Sequence, residues 1–329
     1  MISLLNSPSS SSPAAAAATH LQSCFDQLEL SQIHAFVLRR NLLLLPFHWN
    51  SLMRCYVRLS IPSSALHLFV HMSRACTYPD RYSLPIALKA SFTSFSFSFG
   101  RQLHSVAIKH GLSRHQFSES GLISLYAKAG HFIPANQLFD ENPHRNLGSW
   151  NALISGYAQA GHSSQAIDLF IRLRRTGETP DDMTMLSVAS ACGALGEIQL
   201  AEQIHRCAIQ ARVPQDTMLS NSLIDMYAKC GRTDIAYKVF ERMTERDVSS
   251  WTAMMMGLAT HGDPERALEL YGRMKEEGRV AANHVTMVAV LCACAHAGLV
   301  EEGMRKFEEI VGGRVEGVEA TAEHYGCVA

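Results

Sequence analysis

Residue types able to do chemistry are plentiful in this chain: 16 histidines, nine cysteines and 30 carboxylates. Their spacing decides what they do. Zinc-assisted deamination needs a His and two Cys on the metal and a Glu to shuttle the proton, written in sequence as HxE and CxxC. None of the 16 histidines has a glutamate two residues on, and no two cysteines stand as CxxC. Cys292 and Cys294 form only a CxC inside the apolar word LCACAHAG. There is no Walker loop and no GxGxxG fingerprint. No catalytic constellation is therefore expected, and no metal or organic cofactor. Polar residues in register recur instead. Asn50, Asn151 and Thr252 each follow one of the three tryptophans, Trp49, Trp150 and Trp251, which stand 101 residues apart both times. Asp80 and Asp181 share that 101-residue spacing. Amides, hydroxyls and carboxylates placed this way do hydrogen-bonding chemistry, not bond-breaking. A single asparagine near a helix start is ordinarily just a solvated polar residue; recurrence in register is what makes these notable.

Such a period implies a stack of repeats. His104 and His205, Tyr126 and Tyr227, Gly130 and Gly231, and Phe139 and Phe240 are all 101 apart. The words WNSLMRCY at 49–56, WNALISGY at 150–157 and WTAMMMGL at 251–258 align, as do GLISLYAKAG at 121–130 and SLIDMYAKCG at 222–231. Within 147–181, Trp150, Leu153, Ile154 and Tyr157 mark one face of a helix. Gly161 ends it, Ser163 or Ser164 is placed to cap a second helix, and Ala166, Leu169, Phe170 and Leu173 form that helix's apolar stripe. Gly130, Gly161, Gly231, Gly262 and Gly298 all fall at such interhelix turns, and Asp263-Pro264 supplies a cap and a first-turn proline. The 101 residues divide as 35, 35 and 31, giving units 46–80, 81–115, 116–146, 147–181, 182–216 and 217–247. A unit 248–283 and a long unit from 284 follow, the latter running into the start of a last short unit before 329. Residues 26–45 read as a partial leading unit. The expected fold is all-α: a right-handed α-solenoid of stacked helix-turn-helix repeats, with the tryptophans packing between helices.

Bulk properties narrow the partner. Net charge is −1, which argues against a brute electrostatic grip on nucleic acid. It is uneven, however: residues 1–115 carry 10 Lys+Arg against 3 Asp+Glu, and the rest carry 19 against 27. No apolar run approaches the roughly 20 residues that span a bilayer, so no membrane role is expected. The odd cysteine count without a pairing pattern points to reduced thiols. Residues 1–25 hold no acid and are rich in Ser and Ala, so they are expected to be disordered, with the composition of an organellar transit peptide, although they also lack Arg and Lys.

These words, with their 35/35/31 alternation, resemble the pentatricopeptide repeat family of plants, in its subclass of long, standard and short motifs. The resemblance rests on SWNALISGYAQAG, LIDMYAKCG, VFERMTERDVSSW, GRQLH and LCACAHAGLVEEG, and covers residues 21–329. It implies single-stranded organellar RNA as partner, one base per repeat, read by the fifth and last residues of each motif. Carried onto this chain, Asn50 with Asp80 and Asn151 with Asp181 imply U. Ser120 with Asn146 and Thr252 with Asn283 imply A. Asn221 with Asp247 implies a pyrimidine, mostly U. The long-motif pairs Pro85 with His115 and Leu186 with Asp216 fall outside the clear code. The implied target is U-x-A-U-x-(U/C)-A. The second residue of each motif clamps the base in this family: Phe47, Phe117 and Met218 fit that role, while Gly148 and Ser249 depart from it and imply weaker sites.

The family implies a specificity factor for C-to-U editing, or for RNA processing or stability, in the mitochondrion or alternatively the chloroplast, with an editing deaminase or other editing factor acting in trans. EHYGCVA at 323–329 matches the opening of the family's last short motif, so a C-terminal truncation is expected. The competing expectation is a protein-binding solenoid of the tetratricopeptide type, echoed by Trp150, Leu153 and Tyr157. Its uniform period of 34 and its glycine after the leucine, where this chain has Ile154, weigh against it.

Overall fold

The apolar stripes read from the sequence lie on helices. The structure, a computed structural model, describes residues 24, 26–43, 45–143, 145–261 and 263–328, with 18 helices and no strand among them. Apart from Cys24, the leader-like residues 1–25 lie outside the described residues, as does Gly262. The chain divides after Gly156 into two compact units.

The first unit holds α1 (Gln27–Arg39), the pairs α2 (Pro46–Arg58) and α3 (Pro62–Arg74), α4 (Ser83–Thr93) and α5 (Phe97–Lys109), and α6 (Gln116–Lys128) and α7 (Phe132–Glu141), and the first residues of α8 (Leu147–Gln159). The second holds α9 (Ser163–Arg175), then α10 (Asp182–Leu195) with α11 (Ile198–Gln210), α12 (Thr217–Lys229) with α13 (Thr233–Arg242), α14 (Val248–His261) with α15 (Pro264–Glu277), and α16 (His284–His296) with α17 (Val300–Val311), closing on α18 (Ala322–Val328). In each unit the first helices of successive pairs pack on one another: α2, α4 and α6 in one, and α10, α12, α14, α16 and α18 in the other. Each of these except α18 also packs on its own second helix. This is the α-solenoid arrangement, in which a lone pair buries too little and stacking completes the core.

Local chemistry sets the helix ends. Gly130, Gly161, Gly231 and Gly298 take φ between +70° and +77°, the left-handed turn that frees the chain for its second helix. Pro264 opens α15 behind Asp263, whose side chain accepts from the Arg266 N–H. The expected serine cap of α9 is not the one observed: Ser163 is its first helical residue, buried, and His162 stands at the cap position without a side-chain capping hydrogen bond. With Gly161 turning tightly, the helix begins one residue too early for either serine to reach back.

The 101-residue period is repeated in the contacts. The Phe139 ring meets Trp150 edge-on, centroids 4.6 Å apart, and Phe240 meets Trp251 the same way at 5.0 Å. Above each phenylalanine lies an arginine, Arg145 or Arg246, whose Nε donates to that phenylalanine's own carbonyl. Trp49, Trp150 and Trp251 are all buried, as expected of packing residues. Close helix approach needs Gly257, where an added Cβ would fall 2.6 Å from the Ala228 Cβ.

A second recurring contact joins a second helix to the first helix of the next pair. His34 Nδ1 meets the Tyr56 hydroxyl at 2.8 Å, His104 meets Tyr126 at 2.9 Å, and His205 meets Tyr227 at 3.0 Å. Burial holds all three imidazoles below their ordinary pKa. They fold neutral, so below about pH 6.5 the unfolded chain binds more protons than the folded one. Stability is thus expected to fall as pH drops from about 7 to 5. Urea midpoints across that range check this, and replacing all three by Gln should flatten the profile.

Candidate nucleic-acid interface

Apart from His115, which makes no side-chain capping hydrogen bond, the motif-end residues are first of all acceptors at helix starts. Asp80 lies before α4, Asn146 before α8, Asp181 before α10, Asp216 before α12, Asp247 before α14 and Asn283 before α16. The Oδ1 of each accepts a backbone N–H three residues on: Ser83, Ser149, Thr184, Leu219, Ser250 and Thr286 respectively. At Asp80, Asp181, Asp247 and Asn283 the hydroxyl three residues on reciprocates by accepting from the cap's own N–H. This capping box explains why a short acceptor recurs at that register.

Two caps do more. The Asn50 amide nitrogen donates to Asp80 Oδ1 at 3.0 Å, and the Asn221 amide nitrogen donates to Asp247 Oδ1 at 3.3 Å. Burial alone would raise both carboxyls, but the hydrogen bonds converging on them, from Ser83, Tyr82 and Asn50 and from Ser250, Asn221 and Ser249, hold both below the ordinary range. Each asparagine is thereby turned in one sense: one of its two amide N–H groups is engaged and its Oδ1 is left over. Asn50 Oδ1 and Asn221 Oδ1 are buried and take no partner among the described residues. A buried acceptor left unpaired costs about 1–3 kcal/mol, which an incoming N–H would recover.

The setting differs between the two. Asn221 lines an open groove of about 680 Å3 with Met218, Asp216, Asp247, Ser249 and Ser190, between successive first helices α10, α12 and α14. Asn50 is only 4% exposed, so its Oδ1 is reached only if the side chains covering it move. Phe47, Phe117 and Met218 are 56%, 51% and 62% exposed, unusual for residues so apolar and free to cover a planar ligand.

The hydroxyl-type pairs are built otherwise. Ser120 donates to the Gln116 carbonyl in its own helix, and Asn146 reaches that same carbonyl at 3.4 Å. A Cβ placed on Gly148 would sit 3.0 Å from Asn146 Oδ1 and 3.5 Å from Ser120, so these three positions share one spot and glycine keeps it open. Thr252, 7% exposed, bonds through its hydroxyl to Thr286, which in turn donates to Asn283 Oδ1. Asn151 lies on α8 in the first unit and Asp181 caps α10 in the second. Sequence reasoning missed Ser83, Ser149, Thr184, Ser250 and Thr286. Their signal was present: each stands three residues after a motif-end Asp or Asn.

A family model described as the pentatricopeptide repeat matches residues 47–76, 148–177, 219–248, 249–279 and 285–315. A mitochondrial pentatricopeptide repeat-containing protein of Arabidopsis thaliana is 45% identical over 316 residues, covering 94% of this chain and 67% of the relative. The chain belongs to the pentatricopeptide repeat family. The tetratricopeptide reading of Trp150, Leu153 and Tyr157 falls with that. A chloroplastic/mitochondrial Arabidopsis member is 35% identical, covering 98% of this chain and 57% of the relative, and a further mitochondrial one is 38% identical, covering 85% and 43%. The chain thus spans between two fifths and two thirds of the length of these relatives. Among solved structures, the pentatricopeptide repeat protein PPR10 in complex with an 18-nt psaJ RNA element is similar at a TM-score of 0.77 and 18% identity, over 95% of this chain and 47% of that one. That likeness shows a shared solenoid fold. No helix among the described residues is long and apolar enough to cross a membrane.

Proposed function

We propose that this chain binds single-stranded RNA without catalysing a reaction, and that it reads bases through the motif-fifth and motif-last residues. One observation carries the reading: Asn221, oriented by Asp247, holds an unpaired Oδ1 beside a groove flanked by the exposed Met218. A lone acceptor selects bases whose Watson–Crick edge offers an N–H there, as uracil does at N3 and cytosine at N4. A purine is larger and suits the positions where the reader is a short hydroxyl, at Ser120 and Thr252. The target is U-x-A-U-x-(U/C)-A, with Asn50–Asp80, Ser120–Asn146, Asn221–Asp247 and Thr252–Asn283 as reader pairs, and Asn151 and Asp181 as readers each within its own unit. Phe47, Phe117 and Met218 are the clamps. The setting is organellar, the mitochondrion before the chloroplast, as the names of the similar Arabidopsis proteins support. There the chain serves editing, processing or stability of RNA, and any deamination is supplied in trans.

Affinity is modest on this reading. Residues 116–329 carry 27 acids against 19 Lys+Arg, so phosphate attraction contributes little. Exchanging the reader is the direct test. Asn221→Thr keeps Asp247 in place, replaces the amide acceptor by a short hydroxyl and opens the pocket, so preference at that one base should move from pyrimidine toward purine, with the other positions unchanged. A variant that still selects a pyrimidine there counts against the register.

A further inference from the structure

Two cysteines that the RNA reading leaves unused meet at the last helices of the second unit. Cys292 lies in α16 and Cys327 in α18, 35 residues on, with their sulfurs 3.5 Å apart. Both are half-buried, whereas the neighbouring Cys294 is buried. Among the described residues no group of three or more His, Cys, Asp or Glu is placed to hold a metal ion, so the pair does not read as part of a metal site. What remains is two-thiol chemistry.

We propose that Cys292 and Cys327 form a reversible dithiol–disulfide pair that ties α16 to α18. A disulfide has its sulfurs about 2.05 Å apart, so closure needs an approach of roughly 1.5 Å, a movement within reach of two side-chain rotations. With a small-molecule disulfide as oxidant, one cysteine gives up its proton and its sulfur attacks, making a mixed disulfide and releasing the first small thiol. The second cysteine then loses its proton and attacks that sulfur, releasing the second. Two protein thiols are oxidised, one small disulfide is reduced to two thiols, and both protons end on the released thiols.

Burial, with the neighbouring Cys292, pushes the Cys327 thiol up to about 11, so little of that thiol is thiolate at neutral pH. The pair acts as a latch between α16 and α18. Cys192 gives a useful contrast: wholly buried, with its thiol on the Glu197 carbonyl and its pKa pushed up to about 12, it is shielded from oxidant although Cys230 lies beside it. The consequence of the latch falls on the last base reader. The first turn of α16 carries Thr286, which holds Thr252, and Asn283 caps the same helix.

The test is to incubate the full chain with oxidised glutathione, alkylate free thiols, and map the peptides by mass spectrometry before and after dithiothreitol. The expected result is one linked pair of peptides, two hydrogens lighter than the sum of the free ones, containing Cys292 and Cys327 and restored by the reductant. Cys292→Ser and Cys327→Ser should each abolish that pair, and Cys294→Ser should leave it. Oxidised protein in which Cys292 and Cys327 are still separately alkylated, or in which either is joined to another cysteine, overturns the proposal. So does loss of the link in Cys294→Ser. The wild-type measurement stands even where a serine variant folds poorly.

Discussion

Replacing Trp251 with alanine is expected to destabilise the protein by about 3–5 kcal/mol, the cost of emptying a large aromatic site in a packed core. Trp251 is 2% exposed and stands edge-on to Phe240. Arg246 and Arg273 lie over its ring at 5.9 Å and 5.5 Å, and Arg273 is itself held by Glu241. Truncation removes the ring, its edge-to-face partner and both cation contacts at once. In a stack each repeat draws stability from its neighbours, so the loss should spread to α12 and α16, which flank α14. Urea unfolding followed by circular dichroism measures it, and a change below about 1 kcal/mol would show that the aromatic pair is not the core of the unit.

The second large effect belongs to Asp247. Changing it to alanine removes the cap of α14, worth about 1 kcal/mol of stability. It also frees the Asn221 amide to rotate. RNA affinity should then fall by roughly 5- to 30-fold, the equivalent of 1–2 kcal/mol, with the loss confined to the base that Asn221 reads. Asp263→Ala separates the two roles, since Asp263 caps α15 and touches no reader. It should cost similar stability and leave RNA affinity unchanged. Asp247→Asn, which keeps an acceptor at Oδ1, should retain most of both. Equal RNA losses in Asp247→Ala and Asp263→Ala would reduce the effect to helix capping alone.

The solenoid was legible because it follows from spacing. Trp150, Leu153 and Ile154 on α8, and Ala166, Leu169, Phe170 and Leu173 on α9, were placed by helical periodicity and all are buried. The site was legible only in part. Positions 50 and 80, or 221 and 247, could be paired by register, but which half of each amide is engaged depends on a contact across 30 or 26 residues. Glu119 shows the limit most plainly. It stands fourth in its unit, where Trp150 and Trp251 stand in theirs, and an acid in a first turn reads as a solvated complement to the helix dipole. It is instead 2% exposed, accepts from Asn142 and Ser149, and has its carboxyl raised by burial. Nothing local announces that; the partners come from the turn before α8 and from α8 itself. The thiol pair of Cys292 and Cys327 was likewise invisible, since the alternation of helices, not sequence proximity, brings them together.

Five readers, one of them accepting either pyrimidine, match by chance about once per five hundred nucleotides, and each stacked base adds only roughly 1–3 kcal/mol, so discrimination and not affinity is the informative quantity. The most direct measurement is a binding titration of the full chain with three strands of equal length: single-stranded RNA carrying U-x-A-U-x-(U/C)-A, the same bases scrambled, and the matching single-stranded DNA. The account predicts that the ordered RNA binds at least several-fold more tightly than the scrambled RNA, and that Asn221→Thr shifts the preference at its own base. Equal binding of all three strands would contradict it.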